Sequence, residues 1–177
     1  MASGELSAED FARVLATMPI PAVDVVALRR DADEERFGLV LRESPFEQRL
    51  VWTQIGGRIR HGETLRDALL RHIHGTLVGA VVELEDDPQP DYVLQFFPTD
   101  PRIAPTYGVD PRKHSVGLSF LVEIGGEPDV VPGGEGLELR WFTRAELAAA
   151  GQDLWPGTGR AVEQLIARRL PTTKGIW

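Results

Sequence analysis

Between Ser7 and Met18 the apolar residues Phe11, Val14, Leu15 and Met18 recur three and four positions apart, which places them on one face of an α-helix. Ser7 suits the N-cap, acidic residues fill the first turn, and Pro19 and Pro21 close the segment. Two β-rich runs follow, "AVDVVALRR" and "FGLVLRE", separated by the polar "DADEE"; they predict an antiparallel hairpin from whose second strand Arg42 exits. Residues 63 to about 77 predict the main helix. On a wheel of roughly 100° per residue, Leu65, Leu69, Leu70, Ile73 and Leu77 form an apolar arc of about 140° that faces the core. The runs "GAVVELE", "YVLQFF" and "HSVGLSFLVEI" read as strands, the last most strongly. Between the last two lies "PTDPRIAPTYGVDPRK", long enough to be a functional or mobile loop. A short strand, "LELRWF", precedes a helix opened by a capping box of Thr143 and Glu146, and a last helix covers "GRAVEQLIARRL". The pattern is that of a mixed α/β domain without repeats or linkers.

The 177 residues fit one domain, large enough to bury roughly 70% of the surface its unfolded chain exposes. The absence of cysteine excludes disulfides, thiolate metal sites and a Cys nucleophile, and is consistent with a reducing compartment. The opening "MASGELSAED" lacks a signal-like apolar core and no later run approaches the ~20 apolar residues of a membrane span, so a cytoplasmic protein with no membrane partner is expected. A net charge of −8 argues against binding a nucleic-acid backbone, which calls for a basic face. An anionic small molecule would need local arginines or a metal.

Candidate chemistry concentrates between Gly56 and Ala80. Gly56, Gly57 and Gly62 permit a tight turn and close backbone approach, the geometry by which amides meet a phosphate. Glu63 and Arg71, eight residues apart, are placed to form an ion pair that locks loop to helix. His72 and Thr76 border the apolar arc with Ala68 and Gly75 beside them. His74 points the other way, so "HIH" is no chelating pair and His74 is expected in solvent. His61 and His114 are isolated in sequence; either could touch a ligand, but both read first as hydrogen-bonded residues.

The spacing Gly57, Glu63, Arg71 and Ile73 resembles the Nudix box, G-x5-E-x7-R-E-U-x-E-E-x-G-U. The likeness runs roughly from Phe11 to Leu170 and is nearest to the GDP-mannose mannosyl hydrolase branch: "MPIPAVDVVAL", "WTQIGGR" (with Ile55 where that branch has proline), "KHSVGLSF" and "RWFTRAEL" each resemble segments of it. The resemblance implies an α/β fold, a Nudix-type α/β/α sandwich around a mixed central β-sheet. It divides the chain into an N-terminal helical arm (1–18), a Nudix-like domain (19–170) and a tail (171–177). It also implies a homodimer to which the arm contributes, and Mg²⁺ or Mn²⁺ as cofactor.

The departures bear on function. The box's three metal-binding carboxylate positions read His72, Gly75 and Thr76, and Val78 stands where its closing glycine belongs. Magnesium prefers hard oxygen ligands in an octahedron, so metal binding is expected to be weak. The branch's late Gln ligand and His base fall on Glu135 and Gly136, and Gly136 cannot take a proton. By resemblance, Arg42, Arg58, Gly56 and Gly57 contact substrate, with both arginines expected at one pocket mouth. Glu63 and Glu135 are the candidate catalytic residues, and the Gly57 carbonyl, Glu63 and Glu135 the candidate metal ligands. An acid from "ELEDD", Glu83 to Asp87, could join them, although that stretch reads first as a solvated strand edge. Two functions follow: a hydrolase of a nucleoside diphosphate linked to another moiety, a nucleotide sugar by resemblance, with an altered metal site; or a Nudix-fold protein that binds such a ligand without turnover. A purely structural dimer module is a third reading.

Overall fold

A computed structural model describes residues 6–31, 34–45, 47–98 and 107–170. The expected tail, 171–177, and residues 99–106 of the Pro-rich connection lie outside them. Helix α1 (Ala8–Thr17) begins at Ser7, whose hydroxyl accepts the Asp10 amide at 3.1 Å, and buries no residue fully. Strands β1 (Ile20–Asp31) and β2 (Glu34–Glu43) form the expected antiparallel hairpin, in register from Ala27↔Gly38 to Asp31↔Glu34. The other edge of β1 runs parallel to β8 (Ser115–Val130), from Ile20↔Ser115 to Leu28↔Glu123. With a neighbour on each edge and apolar packing on both faces, β1 reads as a near-continuous hydrophobic run.

Two strands have no clear counterpart in the hydrophobic pattern. β3 (Leu50–Thr53) pairs with β2 and β4 (Ile55–Arg58) with β1, so one bent ribbon passes from one strand of the hairpin to the other at Gln54. Gly56 is required there, because a Cβ would stand 2.1 Å from the Val23 carbonyl oxygen. Helix α2 (Leu65–Thr76) starts later than expected: Thr64 is its N-cap, accepting the Asp67 amide at 3.1 Å, which leaves Glu63 in the loop. The helix passes directly into β5 (Leu77–Val82), which pairs with the far half of β8. The acidic residues after β5 are exposed and outside the strand. Strand β6 (Tyr92–Phe97) lies beside β8, and the short β7 (Gly108–Val109), inside the Pro-rich connection, beside β6. Strand β9 (Glu138–Phe142) pairs with β2 and leads into α3 (Arg144–Ala150) through the expected capping box at Thr143 and Glu146; α4 (Thr158–Arg169) follows.

Two cores flank the sheet and make the expected α/β/α sandwich. On one face Val23, Val25, Ile55, Phe120 and Val122 pack against Ala68, Leu69 and Ile73 of α2. On the other, Val26, Leu28, Phe37, Leu39 and Leu121 meet Leu147, Val162 and Leu165 of α3 and α4. Each buried Val, Leu, Ile or Phe among them contributes about 1.5–3 kcal/mol. The buried face of α2 is rotated from the expected arc: Ala68 is fully buried while Leu70 stays partly exposed. The small Ala68 side chain lets the helix lie close to the sheet, which turns the His72 edge inward. Among the described residues no helix is long and apolar enough to cross a membrane.

Candidate functional site

The loop before α2 is clasped to the helix by charge. Arg71 donates from Nε to Glu63 Oε1 at 2.6 Å and from Nη2 to Oε2 at 2.7 Å, while the Arg60 amide donates to Oε2 at 2.8 Å and Arg71 Nη2 also reaches the Arg58 carbonyl at 3.0 Å. The Glu63 side chain is 12% exposed and that of Arg71 28%. The hydrogen bond from Arg71 holds the Glu63 carboxyl below its ordinary range, and the same pairing raises Arg71. The ion pair expected from the spacing is therefore formed, and it occupies both Glu63 oxygens.

At the box positions, the His72 ring lies against Gly57, where a Cβ would come within 2.5 Å of its Cε1. Its Nε2 is 3.1 Å from Arg71 Nη1 and 3.2 Å from the Arg58 carbonyl oxygen, so either tautomer has a partner. Burial lowers the pKa of this imidazole, which keeps it neutral at pH 7. Gly75 faces open space, and the Thr76 methyl lies 3.6 Å from where a Gly136 Cβ would stand, which places the loop after β8 over the end of α2. In that loop Glu135 is 83% exposed and 3.3 Å from Arg42. His74 is exposed, His61 is exposed, and His114 stacks on Phe97 at 4.4 Å.

Among the described residues no group of three or more His, Cys, Asp or Glu side chains converges to hold a metal. The chemistry of the box face explains why this set does not fit Mg²⁺ or Mn²⁺. It offers an imidazole, a hydroxyl and a glycine in place of hard anionic oxygens, Glu63 is committed to Arg71, and Glu135 leans on Arg42.

Cationic groups gather instead around Trp155. The Arg42 guanidinium lies 5.8 Å and that of Arg112 5.9 Å from its ring centroid, and the Trp155 amide is pinned to the Trp52 carbonyl at 2.9 Å. Asp110 holds Arg112 and Lys113 in place, accepting from Arg112 at 2.9 and 2.8 Å and from Lys113 at 2.6 Å. Burial alone would raise the Asp110 pKa, but these bonds bring it down to about 2. Arg58 does not join this group. Its guanidinium stacks over Phe11 of α1 at 4.1 Å, whereas that of Arg42 faces Trp155 and Glu135. The two arginines expected at one mouth therefore have different partners.

One charged residue escaped the sequence reading. Asp24, in the middle of β1, sits on the face opposite α2, between Gly56 and Ser119 in register. Burial pushes its pKa up to about 6, against the pull of Lys113. The available signal was an acid inside "AVDVVAL", where a strand buried on both faces should carry none.

The family described as a domain of unknown function (DUF4916) matches residues 1–170. Among solved structures the chain is similar to a possible asymmetric diadenosine tetraphosphate hydrolase from Jonesia denitrificans, at 30% identity over 86% of this chain and 95% of that one, with a TM-score of 0.70. It is similar in fold to a MutT/nudix family protein from Enterococcus faecalis (22% identity, 92% and 69% coverage, TM-score 0.62). The NUDIX domain of Shewanella oneidensis NrtR, complexed with ADP ribose, is a further likeness (20% identity, 89% and 97% coverage, TM-score 0.57). No curated protein matches the sequence. A sandwich with a loop–helix unit at the Nudix-box spacing, matched along nearly its whole length, identifies this chain as a member of the DUF4916 family, built on the fold of the Nudix superfamily.

Proposed function

We propose that this protein binds a nucleoside diphosphate linked to another moiety, a nucleotide sugar in the first instance, and hydrolyses it slowly. The observation that carries the reading is the placing of Arg42 and Arg112 within 6 Å of the Trp155 ring centroid, next to a box face without carboxylates. Guanidinium groups bind diphosphate oxygens and need no metal, and the Trp155 ring beside them suits a ring of the ligand. The box face, in contrast, lacks the anionic oxygens that would hold a dication and orient water. The NrtR domain with ADP ribose is a Nudix-fold neighbour seen with a nucleotide ligand.

A second reading, an efficient Nudix hydrolase with an unusual ligand set, is favoured by the 30% identity to the Jonesia protein. In either case the protein works in the cytoplasm as a homodimer. Exposed Leu6 and Met18 flank α1, which has no fully buried residue to tie it to its own core. Thermal-shift measurements with nucleotide sugars, dinucleoside polyphosphates and ADP-ribose, with and without Mg²⁺ or Mn²⁺, followed by product assays, separate the readings. Metal-independent stabilisation with slow turnover is expected. Efficient metal-dependent turnover selects the second reading, and the lack of any stabilisation refutes both.

A further inference from the structure

The loop between β8 and β9 sets an anion against the cations around Trp155. Its two feet are fixed, the Val131 amide donating to the Thr76 carbonyl at 2.9 Å and the Leu137 amide to the Leu41 carbonyl at 2.8 Å. Between them the chain reads Pro132, Gly133, Gly134, Glu135, Gly136, and Gly133 takes a φ of 74°, which side-chain-bearing residues rarely adopt. Leu41 precedes Arg42, so the second foot brings Glu135 to that arginine, Oε2 lying 3.3 Å from Nη2. Arg112, whose first partner is Asp110, also lies in the field of Glu135. The contact with Arg42 is a loose one. The Glu135 side chain is 83% exposed, whereas Asp110 is 4% exposed and accepts from Arg112 at 2.9 and 2.8 Å. Arg42 also keeps a buried Nε for which the described residues supply no acceptor. An exposed ion pair holds its partners weakly, and a guanidinium with an unpaired donor gains from a ligand that brings more oxygens.

We propose that Glu135 is a built-in competitor for the ligand's phosphate: its carboxylate holds Arg42 before a ligand arrives, and the phosphate displaces it in order to bind. This inference rests on the reading that Arg42 and Arg112 bind a diphosphate. It also reverses the role that resemblance gives Glu135, from a metal ligand that assists binding to an anion that opposes it. The glycines on either side let the carboxylate swing into solvent while both feet of the loop stay in place. Its departure breaks only an exposed pair and takes a like charge away from the incoming anion. A ligand that offers Arg42 one weak anion gains little over the carboxylate it removes, whereas a diphosphate in contact with both guanidiniums gains a second pair.

The test is calorimetric titration of the full chain with inorganic pyrophosphate at pH 7.5, without divalent metal, on the unmodified protein, Glu135→Gln, Arg42→Ala and the double variant. Glu135 is exposed, so its replacement should leave folding undisturbed. Glu135→Gln should bind pyrophosphate about three- to tenfold more tightly, the range expected from releasing an exposed ion pair and removing a like charge from the site. In the Arg42→Ala background the same change should gain less, because the contact it releases is already gone. Equal affinity of the unmodified protein and Glu135→Gln overturns the inference and leaves diphosphate binding in place. Weaker binding by Glu135→Gln overturns it too, since the carboxylate would then assist the ligand. A gain of undiminished size in the Arg42→Ala background also overturns it, by reducing Glu135 to a general surface charge. Where Arg42→Ala fails to fold or binds too weakly to measure, the comparison of the unmodified protein with Glu135→Gln decides. No affinity in either of those two proteins overturns the functional reading as well.

Discussion

Replacing Asp24 by Asn should make the protein more stable at neutral pH. The carboxyl's pKa rises from 3.8 to about 6 on folding, so its ionised form is disfavoured in the native state. At 1.36 kcal/mol per unit, ionised Asp24 costs the fold about 3 kcal/mol above pH 6. The sign follows from proton counting. Between the two pKa values the native state holds a proton that the unfolded chain has released, so this group's stabilising contribution is present in full below pH 3.8 and is lost as pH rises through 6. Asn has nearly the same shape and no charge. Urea denaturation of both proteins at half-unit steps from pH 4 to 7.5 gives the difference directly, and contributions common to both, from Glu63 and Asp110 among others, cancel. Asp24→Asn should exceed the unmodified protein by up to about 3 kcal/mol at pH 7.5, and the gap should close toward pH 4. A difference that is flat across the range, or a variant less stable at pH 7.5, would refute the reasoning that Asp24 is buried without a donor.

Glu63→Gln should lower stability by about 1–3 kcal/mol at pH 7, since it leaves Arg71 without its charged partner. The pair's contribution, read from the same denaturation series, should vanish as acid protonates Glu63 through its lowered pKa. Arg42→Ala should weaken diphosphate binding by about tenfold or more, whereas Arg58→Ala, which loses only its stack on Phe11, should leave the affinity unchanged; calorimetry that shows the reverse would move the site. The triple variant His72→Glu, Gly75→Glu, Thr76→Glu should bind Mg²⁺ more tightly than the unmodified protein. Tight Mg²⁺ binding by the unmodified protein would count against the reading of the box face.

The elements with dense periodic patterns were legible in advance: the β1–β2 hairpin, α2, β8 and the capping box at Thr143 all carry their signal within a few turns or pleats. β3 and β4 are four residues each, and β4 includes two glycines, so both are too short for a period to show. The Glu63–Arg71 pair could be read from spacing because it joins the helix to the loop residue directly before its N-cap. The stack of Arg58 on Phe11 could not, because it depends on how α1 lies against β4, which are far apart in sequence. Ala68 shows a related limit. Hydrophobicity ranks Leu70 above it, yet close approach to a sheet favours the smaller side chain.

The parallel pairing of β1 with β8 joins segments separated by more than half the chain. A ribosome therefore releases the β1–β2 hairpin long before the strand that completes it, and one flank of β1 waits unpaired during synthesis. Topologies of this kind close late and fold slowly, because the long loop must be ordered before its contacts form. The native hydrogen bonds between residues 20–28 and 115–123 should then be among the last to form on the folding pathway. A chain cut short before Ser115 would present an open sheet edge, the surface through which nascent chains aggregate.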